Sequence, residues 1–248
     1  MSGFFNQELR FGSHGEGITH AVQRLILFTT FVFAVQLLLI IPLGGMPVYF
    51  WLSFMPETLL KGFVWTPLTY MFLHGGLMHL FGNMLSLYIF GPTVERVLGT
   101  RQFYTFYLIC GGLGVLLGTL PLVLFSLPAN ALILGASGAT LGTLVASAIL
   151  EPERKMYIIP FPFPITYRGI LIVTVAFDVL RLVEGGSGVA VLTHFGGMLV
   201  AYGYMKGRPK WMQFQLGRKE RRLRNKTKKT SAKQDELADA VDNIFDFK

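Results

Sequence analysis

The sequence predicts an all-α membrane protein with six membrane-spanning helices, and two observations predict it. The 248-residue chain is 52% hydrophobic and only 15% charged, with a mean hydropathy of +0.51; soluble domains carry about 25% charged residues. The apolar residues also fall into six blocks near the roughly 20-residue length that crosses a bilayer. These blocks run near 22–43, 67–90, 102–126, 132–150, 167–184 and 189–206.

Taken in order, residues 1–21 are polar and Gly-rich, and the block that follows is too long for a cleavable signal h-region. The first span is therefore expected to be retained. With no organelle-type presequence evident, a bacterial-type plasma membrane is the expected location. Segment 44–66 is long for a connector and carries Phe50, Trp51, Phe54, Phe63 and Trp65. Aromatic rings favour the headgroup region, so this segment is expected to be partly embedded. The third span is interrupted by glycines and holds Cys110, the single cysteine. One cysteine allows neither an internal disulfide nor a cysteine-type zinc site, and Cys110 reads as a small packing residue. No motif calls for a metal or cofactor. The expected organisation is an N-terminal segment 1–21, a six-span core 22–206 and a basic tail 207–248.

The net charge of +8 belongs to that tail. From Lys206 onward there are 13 Lys/Arg against 6 Asp/Glu, whereas the preceding 205 residues hold 9 against 8. The run Arg218, Lys219, Arg221, Arg222, Arg224, Lys226, Lys228 and Lys229 follows the last span closely. A juxtamembrane basic run is explained by topology and anionic lipid, so membrane lipids rather than nucleic acid are the expected partners. A short apolar pattern, Leu237, Ala238, Val241, Ile244 and Phe245, suits a small amphipathic helix in the tail. Six spans put both termini on one side. Arg10, Arg24, Arg96, Arg101, Arg154, Lys155 and Arg168 share that side with the tail, and Lys61 and Arg181 fall opposite. The positive-inside rule makes the first side cytoplasmic and turns 44–66, 127–131 and 185–188 outward.

Polar residues inside apolar spans are costly and are functional candidates. Four stand out: Ser137, His194, His79 and Asn83. At 1.5 Å per residue, Ser137 lies ~5–9 Å and His194 ~8 Å down from the outer ends of their spans, with His79 up to ~18 Å down. His79 and Asn83 are four apart and share a helix face. His74, five residues before His79, is expected on another face, nearer the surface, because five residues turn a helix by roughly 140° from that position. Gly135, Gly138 and Gly142 surround Ser137, and Gly196 and Gly197 follow His194. Small residues let membrane helices approach closely, as a hydrogen bond between Ser137 and His194 would require.

These residue types suit acyl transfer. Ser137 is the candidate nucleophile and His194 the general base. His79, Asn83 and the Ser137 backbone N–H are candidate oxyanion donors, the last if Ser137 opens its helix. No carboxylate is expected at His194, so the arrangement reads as a dyad. Asp178 is expected to pair with Arg181, three residues on, as a structural ion pair. The other readings of these residues are helix packing by serine and a relay in a small transporter, although no repeated pair of broken helices favours the latter.

The motifs that carry these residues resemble those of the rhomboid intramembrane serine proteases, over about residues 20–206. They are Gly135-Ala136-Ser137-Gly138, then His74-Gly75-Gly76-Leu77-Met78-His79 with Asn83, and His194-Phe195-Gly196-Gly197. Gly91, Glu95 and Gly99 resemble the turn after the family's second helix. The resemblance implies a six-helix bundle with a short, central fourth helix bearing the serine. It implies a Ser137–His194 dyad, oxyanion support from His79 and Asn83, and cleavage of transmembrane protein substrates near helix-destabilising residues. It also admits a pseudoenzyme that binds transmembrane helices without cutting them. Two positions depart from the family pattern. Trp65-Thr66 lacks an arginine common in the first loop, and Leu141 replaces an aromatic residue that packs on the histidine.

Overall fold

The computed structural model describes residues 17–40, 42, 44, 46–125, 132–157, 163–184 and 188–208. The chain divides into two compact units, Met1–Gly203 and Tyr204–Lys248. In the second, the described residues continue as helix to Arg208. The basic run and the apolar pattern near residue 240 lie outside the described residues.

The chain is mainly helical. Helix α1 (His20–Val35) continues into a π turn, Gln36–Ile40. Three short helices follow: α2 (Met46–Leu52), α3 (Pro56–Leu60) and α4 (Thr66–Thr69). Then come α5 (Leu77–Leu98), α6 (Thr100–Leu124), α7 (Ser137–Leu150), α8 (Tyr167–Val183) and α9 (Gly188–Arg208). Among the described residues three helices are long and apolar enough to cross a membrane: His20–Leu38, Thr100–Leu124 and Gly188–Arg208. The chain is therefore an integral membrane protein. Helix α5 has the length, at 22 residues, but carries His79, Asn83, Glu95 and Arg96. The 14 residues of α7 reach only ~21 Å at 1.5 Å per residue, short of the ~30 Å hydrocarbon layer.

Several expectations need correction. The second helix starts at Leu77 rather than near residue 67. The chain before it breaks after a 3₁₀ turn at Tyr70–Phe72, turns extended at Leu73 and enters α5 through Gly76. His79 is therefore in the first turn of its helix. The block expected as the fourth span is helical only from Ser137, since 132–136 is non-helical. Glu95 lies inside α5 and not in the turn after it; the turn is Gly99 alone, with φ 79°, which ends α5 and begins α6. The all-α expectation misses a two-residue antiparallel ribbon, β1 (Lys155–Met156) with β2 (Ile165–Thr166). A pairing that short leaves no alternation to read.

Helix α7 packs against α5, α6 and α8. Glycines set how closely α9 approaches. A Cβ at Gly114 would lie 2.7 Å from Gly197 Cα, and one at Gly196 would overlap the Gly114 carbonyl. A Cβ at Gly197 would overlap the carbonyl of Gly138, the residue after Ser137. Three backbones thus meet where side chains would hold them apart. Cys110 is buried in this region and would meet any Cβ at Gly142, in keeping with a packing role.

Glu95 joins α5 to the start of α1. Its carboxylate accepts from the backbone N–H groups of Ala21 (2.9 Å) and Val22 (3.0 Å) and from the hydroxyls of Thr19 and Thr100. It satisfies donors that the first turn of a helix leaves open, and its negative charge suits the helix N-terminus.

Candidate active site

The loop before α7 is pinned at two points. Ile133 and Phe54 exchange backbone hydrogen bonds of 2.9 Å each, and the Gly135 N–H donates to the Tyr70 carbonyl at 3.0 Å. The Tyr70 hydroxyl in turn donates to the Gly111 carbonyl on α6 at 2.9 Å. Gly135 has φ 118°, a conformation that L side chains rarely adopt. The chain then enters α7 with Ser137 as its first residue. Its backbone N–H is one of the donors a helix start leaves without an intrahelical partner, as the sequence reading required.

A parallel device fixes the start of α5. Gln36, buried in the π turn of α1, donates through Nε2 to the His74 carbonyl and accepts through Oε1 from the His74 N–H at 3.2 Å. His74 is fully buried, contrary to the surface position expected for it, and its ring meets His79 edge-on with centroids 5.1 Å apart. The expected rotation assumed a continuous helix, and the chain is not helical at His74. The Gly75 N–H donates to Nδ1 of His79 at 3.4 Å. With Nδ1 accepting, a neutral ring carries its proton on Nε2. That atom faces Gly135: a Cβ there would be 2.7 Å from it. Asn83, one turn later, donates through Nδ2 to the His79 carbonyl at 2.9 Å and accepts through Oδ1 from the Thr140 hydroxyl at 3.2 Å. Nδ2 has a second N–H left for another acceptor.

Ser137, His194, His79 and Asn83 line one cavity of about 550 Å³, together with Thr140, Leu141, Asp178 and Arg181. The structure thus brings all four sequence-selected residues to the same space. It does not place a hydrogen bond between the Ser137 hydroxyl and His194, and among the described residues that hydroxyl makes none.

Sequence reasoning missed one partner. Nδ1 of His194 lies 3.0 Å from Oδ2 of Asp178, with side chains 17% and 5% exposed. The expected Asp178–Arg181 pair is absent among the described residues; the Arg181 guanidinium sits 5.9 Å from the centroid of the Phe177 ring. A carboxylate does reach the histidine, so the expected absence of one is overturned. The signal was present in the chain. Helices α8 and α9 are consecutive, and Asp178 is five residues before the end of one while His194 is six after the start of the next. At 1.5 Å per residue the two lie ~7.5 and ~9 Å from the facing ends of these helices, which is the same level if the helices run antiparallel.

The family comparisons agree with this architecture. The family model of the Rhomboid domain matches residues 61–209. RHOMBOID-like protein 12, mitochondrial, of Arabidopsis thaliana is 30% identical over 155 residues, covering 57% of this chain and 45% of that protein. The human presenilin-associated rhomboid-like protein, mitochondrial, is 30% identical over 135 residues, covering 54% and 35%. Rhomboid protein 1, mitochondrial, of Saccharomyces cerevisiae is 30% identical over 135 residues, covering 54% and 39%. The match spans less than half the length of each of these relatives. The chain is an integral membrane protein built mainly of helices. It belongs to the rhomboid family. The relatives are mitochondrial by name, and so lend no support to the bacterial plasma membrane expected from the sequence.

Proposed function

We propose that this chain is an intramembrane serine endopeptidase, with Ser137 as nucleophile, His194 as base, and His79 and Asn83 as oxyanion donors. The observation that carries the reading is the shared cavity. It holds a serine at a helix N-terminus, a histidine from another helix, and two donor side chains from a third.

The Ser137 oxygen attacks the scissile carbonyl carbon and its proton passes to Nε2 of His194. The carbonyl oxygen becomes an oxyanion beside the Ser137 N–H, Nε2–H of His79 and the free N–H of Asn83. On collapse the C–N bond breaks and His194 returns the proton to the leaving amine, leaving an acyl-serine. Water then attacks the ester, giving its proton to His194, and Ser137 is regenerated. The Ser137–His194 hydrogen bond forms when substrate closes the site, since catalytic bonds are often long before substrate binds.

The substrate class in this reading is the one the family resemblance implies, transmembrane proteins cut where their helices unwind locally. A cavity lined by helices of a membrane protein supports it, since a membrane segment can reach such a site and its scissile carbonyl must then leave its own helical hydrogen bond. In this reading the core is 22–206, a six-span bundle whose short central α7 is the fourth span, and 207–248 is a basic tail on anionic lipid. Both termini share the Lys/Arg-rich cytoplasmic side. Embedding of 44–66 fits the stack of exposed Trp51 and Trp65 on half-buried Phe63, with ring centroids 4.6 and 5.2 Å from that of Phe63.

The competing reading is a rhomboid-like protein that binds transmembrane helices without cutting them, and the Ser137 hydroxyl, unbonded among the described residues, is the observation on its side. Purified protein in liposomes with a type I transmembrane substrate separates the two. Cleavage that disappears in Ser137→Ala and His194→Ala supports the protease. Cleavage unchanged by Ser137→Ala, or none across a broad substrate panel, refutes it.

A further inference from the structure

His194 has two ring nitrogens, and the protease reading needs a particular one free. To take the Ser137 proton, the neutral ring must present an unprotonated nitrogen to the serine. Asp178 holds the other. Its Oδ2 is 3.0 Å from Nδ1 of His194, and its side chain is 5% exposed, so little water competes for the bond. An ionised carboxylate only accepts, so Nδ1 must donate, and the proton of the neutral ring then sits on Nδ1. Nε2 is left as the acceptor.

We propose that Asp178 is a positioning residue: it holds His194 in the Nδ1–H tautomer, fixes the ring's orientation and stabilises the imidazolium formed when Ser137 gives up its proton. This rests on the protease reading and extends the pair of Ser137 and His194 to a line of three. The carboxylate accepts a hydrogen bond throughout and takes no proton. The arrangement matches in role the aspartate of soluble serine proteases, which reached the same solution on unrelated folds.

The other titratable side chains lining the cavity are Tyr70, His79 and Arg181. The Tyr70 hydroxyl bonds the Gly111 carbonyl, His79 Nδ1 accepts from Gly75, and Arg181 stacks on Phe177. None of them bonds the His194 ring, so among the described residues Asp178 alone sets its tautomer. Asp178 also supplies what Leu141 cannot. An aromatic at 141 would hold the ring by packing; here a carboxylate holds it by a directed bond.

The test combines ¹⁵N NMR of histidine-labelled full-length protein in nanodiscs with steady-state cleavage of a transmembrane substrate. The wild-type ring is expected as the Nδ1–H tautomer when neutral. Asp178→Asn is expected to shift it to Nε2–H and to lower kcat by about 10²–10⁴-fold with KM within about 3-fold, since the equivalent change in a soluble triad costs about 10⁴-fold through the wrong tautomer. Asp178→Glu is expected to recover at least about 10-fold of the loss, because a structural partner need not restore kcat selectively. A wild-type Nε2–H tautomer overturns the proposal, even if Asp178→Asn fails to fold. So does a folded Asp178→Asn protein with wild-type kcat, while cleavage still depends on Ser137. Absence of Ser137-dependent cleavage in the wild type is a different failure: it removes the protease reading and this inference with it, whichever tautomer is seen.

Discussion

Gly135 lies against the face of the site that His79 forms: a Cβ built on it would be 2.6 Å from Cε1 and 2.7 Å from Nε2 of the imidazole. The glycine two residues before Ser137 therefore does two things. It allows the turn, with φ 118°, and it leaves the space His79 occupies. Gly135→Ala is expected to cost about 1–3 kcal/mol in backbone strain and to push the His79 ring aside. Loss of cleavage exceeding the loss of folded protein, measured on the same preparation, is the expected outcome.

Asn83 is held from both ends, by the His79 carbonyl and by the Thr140 hydroxyl. Asn83→Ala is expected to lower kcat by about 10²–10³-fold, the range for one oxyanion donor, while KM changes little. Thr140→Val leaves the amide in place without its orienting bond, and a smaller loss is expected. Kinetics on both variants check the order; a larger effect at Thr140 would contradict it.

Glu95 lies away from the cavity and holds the start of α1. Glu95→Gln replaces a carboxylate oxygen by an NH₂ group that cannot accept, leaving buried donors at Ala21, Val22 or Thr19 unmatched. A loss of about 1–3 kcal/mol is expected in chemical unfolding. The fraction that remains folded should cleave at the wild-type rate.

How far the fold was legible depended on whether a segment was periodic or interrupted. The start of α6 lies within two residues of expectation and α8 within one at each end, because in both the apolar block coincides with one continuous helix. Hydropathy places the second span ten residues early because Pro67, Leu68, Met71, Phe72 and Leu73 are as apolar as helix. The break is made by tertiary hydrogen bonds from Gln36 to the His74 backbone. Hydropathy carries no trace of such bonds. The four candidate residues were legible because each is a polar group in an apolar block. Asp178 is just as visible, but Arg181 three residues on offers a local partner, and the local pairing conceals the one with His194 on the next helix.

The α6–α7–α9 crossing gives a stability test. Gly197→Ala puts a methyl into the Gly138 carbonyl, and overpacking of this kind costs about 1–3 kcal/mol. Because Gly138 follows Ser137, cleavage should fall as well. Gly203 on the same helix is exposed with nothing within 4 Å of an added Cβ. Gly203→Ala should be neutral or stabilising, by up to about 1 kcal/mol from helix propensity. Thermal unfolding of the two variants side by side separates the crowded position from the open one.

The central claim is that Ser137 is a nucleophile activated within this cavity. Its most direct test is covalent labelling of the purified protein with a fluorophosphonate, the modified residue being located by mass spectrometry. The structure predicts a single adduct on Ser137 that is lost in Ser137→Ala and forms much more slowly in His194→Ala. No adduct at Ser137, or labelling equally fast without His194, would contradict it.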